Sequence, residues 1–297
     1  MIEVRNVVKK FDGVKALDGL NITVENGSIY GLVGTNGAGK TTIIKNIMGI
    51  LKPDSGTIRI GGEPVFEMEE VKGKIGFVSD DLYFFPGYTL KEMGSYYSGV
   101  YPRWNNERFT DMTKNFALDM KKKLSSFSKG MQKQAAFILA MSTMPEYLVL
   151  DEPIDGLDPI VRLKVWKYII NDVAERRMTV LVSSHNLREM EGYCDHIGII
   201  SKGRMVIERD LEDLKSDVHK VQVAFREPQE HAYEDLNVLH YEKRGSVDLI
   251  IVRDKKEKVE EVIGRYRPAV FDMLPLSLEE IFIYELGGVS DEIDGII

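Results

Sequence analysis

Residues 34–42 of the chain read Gly34-Thr35-Asn36-Gly37-Ala38-Gly39-Lys40-Thr41-Thr42, which has the form G-x-x-x-x-G-K-T. An apolar run over 29–33 predicts a buried strand before this segment, and residues 43–48 predict a helix with an apolar face after it. Glycine-rich backbone between a strand and a helix can direct its N–H groups at phosphate oxygens, and Lys40 adds a full positive charge. Thr41 is predicted to ligate Mg²⁺. The alternative, a glycine-rich turn with a chance lysine, does not explain the flanking elements.

Two adjacent carboxylates follow a second apolar strand, about 110 residues beyond Lys40. Residues 147–150 predict this strand, and Asp151 at its end can hold Mg²⁺. Glu152 would point the other way if the strand continued, and it could polarise an attacking water as a general base. Such a pair alone is more often a solvated turn. After a phosphate-binding loop, it indicates nucleotide hydrolysis.

Composition limits the class of protein. The chain of 297 residues has 43% hydrophobic and 29% charged residues, which is ordinary for one large domain or two smaller ones. A single cysteine, Cys194, excludes an internal disulfide and is interpreted as a buried apolar residue. No apolar run approaches the ~18 residues of a membrane span. With Glu3 near the start and no apolar leader, we expect no secretion signal.

The pattern of elements predicts two domains. Strands that alternate with helices up to about residue 215 favour a parallel α/β sheet, and residues 216–297 restart as a small α+β appendage. The net charge of −8 lies in the last 81 residues, where 18 acidic and 10 basic side chains argue against binding of nucleic acid.

The segment from about 82 to 145 is mainly helical in pattern and rich in aromatic residues. They form either a small helical core, which is the interpretation we favour, or a groove for an amphipathic helix of a partner. The aromatic residues are Tyr83, Phe84, Phe85, Tyr88, Tyr96, Tyr97, Tyr101, Trp104 and Phe109.

Together these motifs resemble the nucleotide-binding subunit of ABC transporters, from residue 1 to about 215. The resemblance implies a P-loop NTPase core of a mostly parallel sheet plus an antiparallel β subdomain, with a helical subdomain at about 82–145. It implies that Glu152 is the catalytic carboxylate and that His185 contacts the γ-phosphate. The residues assigned to ATP are Phe11, stacking on adenine, Gly34, Thr35, Asn36, Gly37, Ala38, Gly39, Lys40, Thr41, Thr42, Ser128, Gly130 and Asp158. Those assigned to Mg²⁺ are Thr41, Asp80 and Asp151.

The chain departs from the family pattern at three places. Residues 127–131 read F-S-K-G-M where the family has L-S-G-G-Q, so Ser128 and Gly130 are kept. Asp80 stands where the family usually has a metal-contacting glutamine, and a shorter carboxylate could still reach the ion. Asp155 replaces a small residue of the loop that crosses to the partner subunit and contains Asp158. None of these changes removes Lys40, so we expect a chain that hydrolyses ATP.

The resemblance implies how such a chain works. In this family each ATP lies between two subunits arranged head to tail, and the chains pair with separately encoded membrane permeases. The chain would lie in the cytoplasm, on the inner face of the membrane. The segments F-S-K-G-M-Q, Tyr101–Asn105 and Leu276–Phe282 are most similar to bacterial ABC-2 exporters, including those of peptide-antibiotic resistance. The second subunit could be identical or related.

Other functions fit less well. Translation factors of this family carry two cassettes in one chain, and repair clamps insert a long coiled coil between the nucleotide motifs. Neither feature is present in the sequence. A small-molecule P-loop kinase would not explain Ser128-Lys129-Gly130 or His185. The favoured interpretation is an exporter ATPase, and a non-transport ABC-type ATPase is the alternative.

Overall fold

The computed structural model describes residues 1–213, 218–227, 229 and 231–286. The chain divides into two compact units. The first contains Met1–His185 and Gly192–Glu208, and the second contains Asn186–Glu191 and the chain from Arg209 onward. No helix in the described ranges is long and apolar enough to cross a membrane.

The central sheet of the first unit has the strand order β10-β9-β3-β8-β7-β6. The strands are β3 (Ile29–Val33), β6 (Ile75–Val78), β7 (Tyr147–Asp151), β8 (Thr179–Ser184), β9 (His196–Ser201) and β10 (Arg204–Asp210). Strands β6, β7, β8, β3 and β9 pair in parallel, which confirms the predicted α/β class. β3, β7 and β8 are buried along their whole length, as their continuous apolar sequences require. Their carboxyl ends meet at one edge.

A second sheet, with the order β2-β1-β4-β5, is antiparallel. It consists of β1 (Ile2–Phe11), β2 (Val14–Val24), β4 (Ser55–Ile60) and β5 (Glu63–Pro64). Its inward residues, such as Val4 and Ile22, share one core with Ile43 and Ile47 of helix α1 (Lys40–Ile47). The core thus fixes the helix that follows the phosphate-binding loop.

Helices cover the faces of this unit: α2 (Glu69–Lys72), α3 (Leu90–Val100), α4 (Asn106–Asn115), α5 (Lys129–Ser142) and α6 (Pro159–Arg176), with a 3₁₀ turn at Leu124–Ser126. Each long helix after α1 begins at a capping side chain. These caps are Thr89, Asn105, Ser128 and Asp158, and each oxygen accepts from a backbone N–H of the first turn. The sequence therefore sets where these helices start.

The aromatic residues of the helical segment divide into two groups. An inner chain of ring contacts joins Tyr101 to Tyr97, Tyr97 to Trp104 and Trp104 to the buried Phe109. An outer aromatic group remains partly exposed. The outer aromatic group is Tyr83, Phe85, Tyr88 and Tyr96. The inner chain fits the helical core that the sequence favoured.

The second unit has its own core under a sheet of order β12-β13-β11-β14. Its antiparallel strands are β11 (Val218–Ala224), β12 (Val238–Arg244), β13 (Val247–Arg253) and β14 (Val270–Leu274), with helices α7 (Lys256–Gly264) and α8 (Leu278–Leu286). After β8 the chain forms a short 3₁₀ turn at Leu187–Glu189. Gly192, at φ 84°, breaks helical geometry beyond it.

Candidate functional site

The phosphate-binding loop joins β3 to α1 and depends on its glycines. Gly37 and Gly39 adopt φ 82° and 113°, which lie in the left-handed region. A Cβ on Gly34 would come within 2.5 Å of the Ile200 carbonyl oxygen, and one on Gly39 within 2.9 Å of the Ala16 carbonyl oxygen. The loop can therefore follow this path only with glycine at these places.

Lys40 opens α1, and its ammonium folds back over the loop. Nζ donates to the carbonyl oxygens of Gly34 at 2.6 Å and Thr35 at 3.2 Å, and it lies 3.2 Å from Glu152 Oε1. The side chain is only 6% exposed. The ammonium is therefore neutralised within the protein, and an incoming phosphate must compete with Glu152 for it.

Glu152 leaves the strand in a left-handed conformation. β7 ends at Asp151 and Glu152 has φ 48°, so the alternation of an extended strand does not apply to it. Our prediction that Glu152 points away from Asp151 assumed an extended strand through Glu152. That assumption about the backbone is wrong. Its N–H donates to Ser183 Oγ at 3.0 Å, and its Oε2 lies 2.9 Å from His185 Nδ1. The carboxylate thus bridges Lys40 and His185.

Asp151 is buried at the carboxyl end of β7. Its Oδ1 accepts from Ser183 Oγ at 2.7 Å, and its side chain also hydrogen-bonds Thr41. Burial raises the pKa of the Asp151 carboxyl, and the bonds from Ser183 and Thr41 oppose that effect. Sequence reasoning missed Ser183, whose only signal is its parallel register opposite Asp151.

The donors beside Asp151 fit Mg²⁺. Asp151 Oδ2 is buried and has no hydrogen-bond partner among the residues that the structure describes. Within those residues no cluster of three His, Cys, Asp or Glu side chains could hold a metal alone. Mg²⁺ in nucleotide sites takes one or two carboxylates and completes its shell with phosphate and water. One hydroxyl and one buried carboxylate are thus a suitable donor set.

Two cavities border these residues. The phosphate cavity, about 170 Å³, is lined by Ala16, Thr35, Asn36, Gly37, Gly39, Lys40, Thr41, Thr42, Asp80 and Glu152. The signature cavity, about 470 Å³, is lined by Asp80, Asp81, Leu82, Lys129, Gly130, Gln132, Lys133, Asp155 and Gly156. Asp80 lines both of them. The structure thus brings most of the predicted phosphate and metal residues together in one place.

The remaining predicted residues lie outside the phosphate cavity. Phe11 ends β1 on the surface, with its ring 45% exposed and 5.6 Å from Lys9 Nζ. Ser128 caps α5 by accepting from the Met131 N–H at 3.2 Å. Asp158 caps α6 by accepting from two backbone N–H groups at 3.1 Å. Their roles in ATP binding remain predictions.

Comparisons with known proteins agree with the geometry. Residues 17–155 match a family model described as ABC transporter. The chain is 31% identical over 288 residues to the ABC transporter ATP-binding protein YtrB of Bacillus subtilis, covering 97% of this chain and 99% of YtrB. It is 36% identical over 220 residues to the bacitracin transport ATP-binding protein BcrA of Bacillus licheniformis, covering 72% of this chain and 71% of BcrA. A solved ATP-binding subunit of an ABC transporter is 26% identical with a TM-score of 0.68, covering 72% of this chain and 92% of that one.

Proposed function

Since the chain belongs to the ATP-binding subunits of ABC transporters, we propose that it powers export of a solute through a separately encoded membrane subunit. As a member of this family it is an ATP-binding ATPase. The observation that carries the hydrolysis on which this proposal depends is the position of Glu152, which lines the phosphate cavity 3.2 Å from Lys40 and 2.9 Å from His185. These are the groups that hydrolysis of a terminal phosphate needs.

The proposed mechanism assigns one task to each side chain. Lys40 leaves its ion pair with Glu152 and binds the phosphate oxygens of ATP. The backbone N–H groups of the loop donate to the same phosphates. The Glu152 carboxylate, released from Lys40, takes the proton of the attacking water, and His185 holds that carboxylate through Nδ1. Thr41 and Asp151 would hold Mg²⁺, with Asp80 close by, and the ion would neutralise charge on the phosphates.

A second subunit completes the proposed site. Ser128 and Gly130 lie at the start of α5 beside the signature cavity and not in the phosphate cavity of the same chain. In the family arrangement this segment contacts the γ-phosphate bound by the other subunit, and the loop with Asp158 crosses between them. We therefore place ATP at a head-to-tail interface between two such chains, identical or related. Hydrolysis would release that interface.

The outer aromatic group supports a membrane partner. Tyr83 is 77% exposed and Tyr96 46% exposed, and both contact Phe85. Exposed aromatic side chains of this kind suit the apolar face of an amphipathic helix. A permease segment would then hold the chain on the inner face of the membrane in the cytoplasm. BcrA, whose name assigns it to bacitracin transport, supports an exporter of this type.

The dimer is tested first with purified chain. Glu152→Gln should run as a dimer in size-exclusion chromatography with Mg-ATP and as a monomer without it. The matched control, Lys40→Ala, should stay monomeric in both conditions because its loop lacks the cation that holds the phosphates. A Glu152→Gln chain that remains monomeric at saturating ATP would contradict a site shared between two identical copies.

The transport assignment is tested by purification of the tagged chain from native membranes. We expect a co-purifying polypeptide with membrane-spanning helices. Tyr83→Ser with Tyr96→Ser should lose it while ATP hydrolysis is kept, and the control Ile50→Ser, another exposed apolar residue, should keep it. Recovery of ribosomes or DNA-repair proteins instead would favour the non-transport alternative.

A further inference from the structure

Lys133, on the first turns of α5, reaches into the nucleotide site without touching the phosphate cavity. Its Nζ donates to the Glu152 carbonyl oxygen at 2.8 Å and lies 3.1 Å from Asp80 Oδ1 and 3.9 Å from Asp155 Oδ2. The side chain is only 11% exposed, although Asp80 and Asp155 are each about half exposed. A lysine is rarely withdrawn from water unless its ammonium is fully partnered.

The first consequence concerns the backbone of Glu152. A residue with a Cβ rarely adopts φ 48°, so its surroundings must hold it there. Side chains bind both polar groups of this residue's backbone: Ser183 Oγ accepts from its N–H at 3.0 Å, and Lys133 donates to its carbonyl oxygen. Since the Glu152 carboxylate reaches Lys40 and His185 from this turn, Lys133 helps set the direction of the proposed base.

The second consequence concerns Asp80 and Asp155, two of the departures from the family pattern. Both acidic side chains lie within 4 Å of the same ammonium, which joins them as one charged cluster. Asp80 also lines the phosphate cavity, so this residue borders both Lys133 and the proposed phosphate site. Its contact with Lys133 connects the proposed metal residue to the loop proposed to cross to the second subunit.

We propose that Lys133 is a positioning residue for ATP hydrolysis, which orients the Glu152 turn and the Asp80 carboxylate through one ammonium. The proposal rests on the role of Glu152 as base given above. Lys133 takes no part in the transfer of the proton or of the phosphate. Its removal frees the Glu152 carbonyl oxygen and leaves Asp80 and Asp155 without their shared cation.

The experiment compares Lys133→Met with Lys133→Arg in steady-state hydrolysis and in ATP binding by calorimetry. We expect kcat of Lys133→Met to fall about 10- to 100-fold, because misplacement of a reacting group by about 1 Å has an effect of this size. Its Kd for ATP should change less than about threefold, since Lys40 and the loop are untouched. Lys133→Arg should recover much of kcat because it keeps the cation.

The matched control is Lys164→Met. Lys164, on α6, also donates to a backbone carbonyl oxygen, that of Asn115, at 2.9 Å, and it lines neither the phosphate cavity nor the signature cavity. The Lys164→Met variant should hydrolyse ATP at the native rate. Thermal unfolding of each variant shows whether it is folded at the assay temperature, and a drop in kcat of Lys133→Met that merely follows lost folded protein would overturn the proposal.

The Asp80 contact is tested by combining Lys133→Met with Asp80→Asn. If Lys133 acts through Asp80, the double variant loses less than the product of the two single losses. Losses that multiply would overturn this part of the proposal. If Lys133→Met keeps the native kcat while Glu152→Gln is inactive, only the role of Lys133 is rejected. If Glu152→Gln itself keeps the native kcat, the proposed base is rejected.

Discussion

Glu152→Gln should bind ATP more tightly than the native chain does. In the structure the Lys40 ammonium is paired with the Glu152 carboxylate, and both side chains are largely buried. ATP must break this pair before its phosphates can reach Nζ, and the carboxylate then faces the negative phosphates. The amide of glutamine removes the competition and the repulsion together.

The distance of 3.2 Å sets the size of the effect. With an effective dielectric constant of about 20, Coulomb's law gives a gross attraction of about 5 kcal/mol between Lys40 Nζ and Glu152 Oε1. Glutamine keeps an oxygen that can accept from Lys40, and the native carboxylate already carries a desolvation cost. The net difference is therefore about 1.5 to 3 kcal/mol. This corresponds to about 10- to 100-fold tighter binding.

Isothermal titration calorimetry without Mg²⁺ measures this difference, because hydrolysis is then suppressed. The control is Glu146→Gln, which removes an exposed ion pair with Arg103 and should leave the Kd for ATP unchanged. In a separate assay with Mg²⁺, Glu152→Gln should hydrolyse ATP at least about 100-fold more slowly. A Kd equal to or weaker than that of the native chain would refute the idea that Glu152 occupies Lys40 before ATP arrives.

Three further predictions concern the stability of the folded chain and the accessibility of its thiol. Thr89→Ala removes the capping box of α3, in which Thr89 Oγ1 accepts from the Glu92 N–H at 3.2 Å, and should lower the free energy of unfolding by about 1 kcal/mol in urea with an unchanged m value. Burial raises the pKa of Asp151 above 3.8, so folding disfavours its ionised form. Asp151→Asn should therefore raise the Tm of the nucleotide-free chain at pH 7. The gain in Tm should shrink as the pH falls toward 4, because the native carboxyl then becomes protonated. Burial also raises the pKa of the Cys194 thiol, so iodoacetamide at pH 8 should label it only through the unfolding transition, and labelling of the folded chain would contradict this.

Local sequence determined the parts of the site that local backbone geometry builds. The loop at 34–42 carries its function in one continuous segment, and the caps Ser128 and Asp158 mark helix starts that the structure places at the next residue. Ser183 could not be found in the same way, because its contact with Asp151 arises from the register between β7 and β8. Pairing between distant strands leaves no pattern in either strand alone.

The extended conformation assumed for Glu152 was wrong for a related reason. Alternation along a strand is reliable only while the backbone stays extended, and glutamate carries no signal for a left-handed conformation as glycine does. The groups that hold Glu152 at φ 48° are Ser183 and Lys133, which come from β8 and α5. A local rule therefore fails at Glu152, whose backbone is held by side chains from elsewhere in the fold.

Departures from a family pattern have to be judged from the contacts that the residues make in the folded chain. Considered one at a time, Asp80 and Asp155 look like unrelated changes. Asp80 stands in place of a metal-contacting glutamine, and Asp155 stands in place of a small loop residue. In the folded chain both carboxylates lie within 4 Å of Lys133, which directly follows the F-S-K-G-M-Q segment. An acidic residue introduced beside a phosphate cavity would repel the nucleotide unless a cation accompanied it. The three residues therefore form one charged cluster, in which changes made together should cost less than the product of the single losses.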